Sequence, residues 1–241
     1  MMASDQRPAS TGREAMERGS TPVIAIDGPA ASGKGTVALG VADQLGFHYL
    51  ESGSLYRLVG LAALQDRIPL DNEGRVAETA NALEAAFDGG RIRLRRADVT
   101  DAIRSEAVGS AASRVAVFPA VRTALLSRQR AFRRPPGLVA EGRDMGTVVF
   151  PDALVKIFVT ATPEARARRR YNQLIEKGNS VTIEGLLRDI RERDARDSTR
   201  AVAPLRAAAD AMVLDTTDMT VGESVAFVVG KYREAIGKAG R

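Results

Sequence analysis

The chain has 241 residues, 44% hydrophobic and 27% charged, with a formal net charge of +5. That length can bury a sizeable core, either as one domain with inserts or as two smaller ones. With no cysteine, disulfide frameworks, zinc–thiolate centres and thiol nucleophiles are excluded.

Residues 1–20, rich in Ser, Arg, Glu and Gly without apolar periodicity, are expected to form a disordered tail. They lack the basic-then-apolar layout of a secretory signal. No later apolar run reaches the roughly 20 residues of a membrane helix, so a soluble cytoplasmic protein is expected. The run Val23-Ile24-Ala25-Ile26 predicts a first strand over residues 23–27. It breaks into Gly28-Pro29-Ala30-Ala31-Ser32-Gly33-Lys34-Gly35-Thr36, and a helix is expected from Thr36 to Leu45, with Val37, Ala38, Val41 and Leu45 on one face.

Strand, glycine-rich turn and helix in that order form the context of a phosphate-binding loop. Glycines let successive backbone N–H groups converge, the helix N-terminus adds its dipole, and Lys34 adds a full charge. Thr36 offers a hydroxyl to Mg²⁺ or phosphate. The expected ligand is a nucleoside triphosphate. Ser or Thr usually follows the Lys directly; here Gly35 intervenes, a spelling similar to nucleoside monophosphate kinases rather than motor ATPases or GTPases.

Residues 47–50 predict a short extended piece leading into Glu51-Ser52-Gly53-Ser54-Leu55-Tyr56-Arg57, with a second helix to about Gln65. Residues 67–136 have a different texture and read as an insert. Arg91-Ile92-Arg93-Leu94-Arg95 alternates with the period of a strand, and helices are expected around Glu106–Val115 and Ala120–Arg133. The core resumes with a buried-type strand, Leu138-Val139-Ala140, ending at Glu141 and followed by Gly142-Arg143-Asp144-Met145-Gly146-Thr147. Ligands of open α/β sheets sit at the carboxyl ends of such strands. Arg143 supplies a donor fork for phosphate, and Asp144 an acceptor for an amino group.

A strand at Val155–Val159 precedes Thr162-Pro163-Glu164, a capped helix start with Pro in the first turn. That helix and the next, Ile183–Arg196, read as an arginine-rich hairpin; ten Arg and one Lys lie between residues 166 and 206. Arg193, Asp197 and Arg200 fall on one helical face if the helix runs that far. Arg166, Arg168, Arg169 and Arg170 read as a solvated, salt-bridged face. A basic hairpin closing over a triphosphate would exclude water, as a kinase requires. Val213-Leu214-Asp215 predicts the last strand, and Thr220-Val221-Gly222-Glu223 a capping box for the final helix. Strands alternating with helices imply a parallel sheet covered on both faces.

These segments resemble the bacterial cytidylate kinase family from about Val23 to the last helix. The resemblance rests on Ser52-Gly53-Ser54-Leu55-Tyr56-Arg57, on Gly142 through Ala153, and on Arg196-Asp197 through Arg200-Ala201-Val202-Ala203-Pro204-Leu205. It implies an α/β phosphate-loop kinase core with a parallel sheet flanked by helices (residues 21–66, 137–162 and 201–241), an enlarged monophosphate-binding insert (67–136) and a short helical lid (163–200). It further implies that residues 28–36 hold ATP with Mg²⁺ at Thr36, and that CMP and dCMP are the acceptors. Ser52, Arg57, Arg143 and Arg193 would surround the acceptor phosphate and sugar, with Tyr56 beside them. Ser113, Arg122 and Asp144 would read the cytosine edge, Asp197 would take the ribose hydroxyls, and Arg200 would reach the phosphates being exchanged. Lys34, Arg143, Arg193 and Arg200 would be the catalytic set. The family usually carries Asp where this chain has Glu51 and Glu141, each one methylene longer.

A kinase for UMP or AMP is the near alternative, and a nucleotide-dependent nucleic-acid-binding protein the distant one. The positive charge is compatible with the latter, but the chain has no Trp and only 5% aromatic residues for base stacking. The Asn-Lys-x-Asp guanine-reading motif of a GTPase is absent. The expectation is a monomer acting on small-molecule nucleotides, without nucleic-acid or membrane partners.

Overall fold

In the computed structural model, residues 21–239 are described except 89, 177 and 179; the expected tail at 1–20 lies outside them. In chain order the elements are β1 (Val23–Asp27), α1 (Lys34–Leu45), β2 (His48–Glu51), α2 (Ser52–Gln65), α3 (Glu73–Asn81), β3 (Ala85–Asp88), β4 (Arg91–Leu94), β5 (Ala97–Asp98), α4 (Glu106–Val115), α5 (Pro119–Arg130), β6 (Leu138–Gly142), β7 (Val155–Thr160), α6 (Pro163–Glu176), α7 (Ile183–Ser198), β8 (Met212–Asp215) and α8 (Val221–Ala239). A 3₁₀ turn at Ala102–Arg104 and a π-helical turn at Met145–Val149 complete the set. The described residues form two compact units: one comprises 21–50, Phe132–Ser198 and 205–239, the other Glu51–Ala131 with Thr199–Pro204.

The first unit is built on a five-stranded sheet in the order β2-β6-β1-β7-β8. β1 runs parallel to both β6 and β7, and β7 runs parallel to β8. Every residue of β1 and β6 is buried, as continuous apolar runs in a doubly covered parallel sheet require. Val37, Ala38 and Val41 of α1 and Val228, Val229 and Tyr232 of α8 join Ile24, Ile26, Val139 and Ile157 in one core. α1 stops where Gly46 turns left-handed at φ 64° and its N–H reaches back to the carbonyl of Ala42. The capping box at α8 forms as expected: Glu223 accepts from the Thr220 N–H at 2.8 Å, and the Thr220 hydroxyl accepts from the Glu223 N–H at 3.2 Å.

In the second unit α2 packs closely on α4; a Cβ at Gly60 would lie 3.0 Å from that of Ala111. β3, β4 and β5 form an antiparallel sheet. Ile92 and Leu94 face inward and Arg91 and Arg93 outward, the alternation read from the sequence. Helix α3 was not anticipated. Only Val76, Ala77 and Ala80 are buried along it, so its apolar stripe is thin, but Asn72 caps it by accepting from the Arg75 N–H at 3.1 Å.

Candidate active site

The loop after β1 begins where the chain must pass close to a neighbouring strand. At Gly28 a Cβ would overlap the carbonyl oxygen of Val159, so only glycine fits. Pro29, Ala30 and Ala31 carry the chain over to Ser32, and Gly33 turns left-handed at φ 87° to open α1. No side chain caps this helix and no acidic residue lies in its first turn. Its N–H groups and positive dipole end are therefore arranged for an external anion. The loop's own carbonyls are spent on the frame: Ser32 accepts from the Thr216 hydroxyl at 3.0 Å and from the Arg169 guanidinium at 3.3 Å.

Lys34 is buried, with its ammonium 3.3 Å from the Pro29 carbonyl and 3.5 Å from Glu141 Oε2. Burial lowers its pKa to about 8; the positive charges of Arg143 and Arg193 push the same way, and Glu141 opposes them. Two guanidiniums thus add their charge at the buried ammonium, and the Glu141 carboxylate beside it offsets part of it. Glu141 Oε2 itself is buried without a hydrogen-bond partner. Gly35, the intervening residue, faces this corner: a Cβ there would sit 3.8 Å from the Tyr49 hydroxyl and 3.9 Å from Glu141 Oε1, ordinary contacts. Thr36 is exposed in the first turn of α1.

At the end of β6, Arg143 donates to Asp197 of α7 at 2.9 Å. Asp144 is buried and precedes the π-helical turn. Arg193 lies on α7 one turn before Asp197. Lys34, Arg143, Asp144, Arg193 and Asp197 all belong to the first unit.

Ser52, Tyr56, Arg57, Ser113, Arg122 and Arg200 belong to the second. Ser52 and Tyr56 are buried at the start of α2. Arg57 donates to the Ile103 carbonyl at 2.6 Å, and a Cβ on Gly109 would meet its guanidinium at 3.1 Å. Arg122 donates to the Ala116 carbonyl at 3.1 Å with its guanidinium 5.6 Å from the centre of the Tyr56 ring. Ser113 is half-buried on α4. Glu51 pairs with Arg104 at 3.7 Å.

Two expectations need correction. α7 ends at Ser198, so Arg200 lies beyond it rather than on the face of Arg193 and Asp197. The Ser198 hydroxyl donates back to the carbonyls of Asp194 and Ala195, a local alternative to helix propagation, and the Leu205 N–H returns to the Asp197 carbonyl. Nor are the α6 arginines uniformly solvated. Arg166 is buried on the face of Ala167 and Leu174; it donates to the carbonyls of Ala161 (3.0 Å) and Ala30 (3.2 Å) and, bidentately, to Asp194 (3.0 and 2.6 Å). Arg169 donates to the Thr216 carbonyl as well as to Ser32. Arg168 is exposed as expected. Sequence reasoning also passed over Asp27, the last residue of β1, whose carboxylate accepts from the N–H groups of Met145 and Gly146, both at 2.8 Å.

Among the described residues no helix is long and apolar enough to cross a membrane. A family model described as cytidylate kinase matches residues 24–234. The chain is 59% identical over 215 residues to the cytidylate kinase of Bordetella bronchiseptica, covering 89% of this chain and 96% of that protein. To the cytidylate kinase of Burkholderia mallei it is 56% identical over 214 residues, covering 89% and 94%. With the loop, the cationic cluster and this likeness in hand, the chain belongs to the cytidylate kinase family.

Proposed function

We propose that the chain transfers the γ-phosphoryl group of ATP to CMP and dCMP, releasing ADP and the corresponding diphosphate. Phosphoryl transfer asks a protein mainly for alignment and positive charge. The observation that carries the reading is the buried Lys34 at the start of the phosphate loop's helix, where burial first, and then the charges of Arg143 and Arg193, hold its pKa down to about 8. Such a cluster is stabilised by a polyanion. The phosphate oxygen of the acceptor is already an anion, so it forms its bond to the γ-phosphorus without a general base. The bond from that phosphorus to the bridging oxygen breaks, and the electron pair stays on ADP.

In this reading residues 28–36 cradle the ATP phosphates, and Lys34 follows the migrating group. Ser52, Tyr56, Arg57, Arg143 and Arg193 receive the acceptor phosphate and sugar, Asp197 its ribose hydroxyls, and Arg200 reaches the exchanging phosphates. Ser113, Arg122 and Asp144 read the base. A carboxylate accepts from the cytosine amino group and repels the oxygen that uracil presents there.

Mg²⁺ fits the donor set. Thr36 is exposed at the loop, and Glu141 Oε2 is a buried oxygen that makes no hydrogen bond and whose charge faces the Lys34 ammonium at 3.5 Å. Among the described residues no group of three or more His, Cys, Asp or Glu could hold a metal unaided. A cation shared with substrate phosphates requires none. When bound, it would neutralise charge on the triphosphate.

The test is an ADP-release assay across CMP, dCMP, UMP and AMP with ATP and Mg²⁺. CMP and dCMP are expected to exceed UMP and AMP in kcat/KM. A preference for AMP would overturn the assignment of Ser113, Arg122 and Asp144.

A further inference from the structure

Asp27 ends β1, immediately before the phosphate loop, and is buried. Across the sheet, Asp27 stands in register with Gly142 of β6. The segment that follows, Arg143-Asp144, leads into the π-helical turn Met145–Val149, where the N–H groups of Val148 and Val149 both point to the Asp144 carbonyl (2.9 and 3.2 Å) and that of Phe150 to Met145 (2.7 Å). The N–H groups of Met145 and Gly146 come too early in the turn to find a partner within it. Asp144 stands at the capping position but makes no side-chain cap bond. The cap comes instead from 118 residues away: Asp27 Oδ1 accepts from Met145 and Oδ2 from Gly146, each at 2.8 Å. Gly146 is held against the stem of Lys156 as well; a Cβ would lie 3.1 Å from Lys156 Cδ and 3.5 Å from Asp27 Oδ2.

We propose that Asp27 is a positioning residue for acceptor recognition, clamping the backbone of Met145 and Gly146 so that Arg143 and Asp144 hold a fixed orientation relative to the phosphate loop. The proposal rests on the reading of Arg143 and Asp144 as acceptor-binding residues and adds the group that orients them. Asp27 is assigned no contact with either nucleotide. It acts through two main-chain N–H groups, and both of its oxygens are needed because each serves one of them. Burial without a neighbouring cationic partner at hydrogen-bond distance makes this an expensive carboxylate to keep, with a pKa pushed up to about 7 chiefly by desolvation. A residue needed only to end a strand would have no use for that cost.

The experiment is Asp27→Asn in the full chain. The amide offers one acceptor oxygen and turns an NH₂ donor toward the other N–H, so half of the clamp is lost. The expected result is a rise of about tenfold or more in KM for CMP, a KM for ATP within about threefold of wild type, and a CMP-over-UMP preference lowered by about tenfold. Unchanged CMP kinetics, or equal rises in KM for both nucleotides, would overturn the proposal. Asp144→Asn is measured alongside. Relaxed base preference in that variant together with wild-type kinetics in Asp27→Asn defeats this proposal alone. Unaltered preference in Asp144→Asn defeats the reading of the base-recognition residues and the proposal with it. If Asp27→Asn does not fold, amide hydrogen exchange in the wild-type enzyme decides: protected Met145 and Gly146 N–H groups support the clamp, and exchange at unprotected rates overturns it.

Discussion

The two helices of the arginine-rich hairpin carry similar side chains to different ends. On α6, Arg166 and Arg169 spend their donors on carbonyls of the phosphate loop and of the residues just after β7 and β8 and, for Arg166, on the carboxylate of Asp194. On α7, Arg193 contributes positive charge at Lys34. The first pair holds the frame of the loop after β1, and the second residue adds charge beside it. Composition cannot separate these roles, because a guanidinium that frames the loop and one that adds charge beside Lys34 present the same donors.

Arg166→Ala gives the largest expected effect. It strips Asp194 of its bidentate partner and the Ala161 and Ala30 carbonyls of a donor, a loss of about 2–4 kcal/mol in stability, or on the order of 10 °C in Tm for a chain of this size. Differential scanning calorimetry reads it directly, and a shift under 2 °C (about 1 kcal/mol or less) would erase the distinction between the helices. Arg193→Ala should act on turnover: kcat falls by roughly 10²-fold, the scale of losing one preorganised charge-stabilising group, read by the ADP-release assay.

The pH profile sharpens the electrostatic half. Lys34 has a pKa of about 8 in the folded, nucleotide-free enzyme. Above that value it loses its proton and its charge, so kcat/KM for ATP should decline as pH rises through about 8, approaching tenfold per unit. The linked stability effect has the opposite sign. Between about 8 and the ordinary 10.5, the unfolded chain holds a proton at Lys34 that the folded chain has released, so this residue's contribution to stability rises with pH in that window. Removing Arg193 takes away one lowering influence, and the inflection should move to higher pH in Arg193→Ala. The smallest effect belongs to Glu164→Ala, which breaks the exposed bridge to Arg191 joining α6 to α7 at 3.1 Å. Less than about 1 kcal/mol is expected.

Much of the fold was legible because its signals are local. A β-branched run marks β1, a short apolar run marks β6, and the break at Gly28 marks the loop. Thr162 and Thr220 marked helix starts that the Ala165–Thr162 bond at 3.3 Å and the reciprocal pair at Thr220 and Glu223 realise. What stayed hidden depends on partners far along the chain. Asp27 looks like the polar end of a strand until Met145 and Gly146 are brought to it. Arg166 sits in a run of charge, and only tertiary packing decides that its side of α6 is the buried one. For α3 the thin apolar stripe concealed a helix, although Asn72 followed by Glu73 is a start signal that could have been read.

The π-helical turn at Met145–Val149 carries one further consequence. Such a turn closes over five residues where an α-turn closes over four. This stretch therefore accommodates one residue more than an α-helical version would. The length of the segment is thus as much a part of its chemistry as its composition. Deleting one residue between Met145 and Val149 would let the turn relax to α-geometry and rotate everything after Asp144, even with the flanking side chains kept. Here an insertion or deletion, the kind of change surface loops absorb with ease, would act as severely as replacing a side chain in the site.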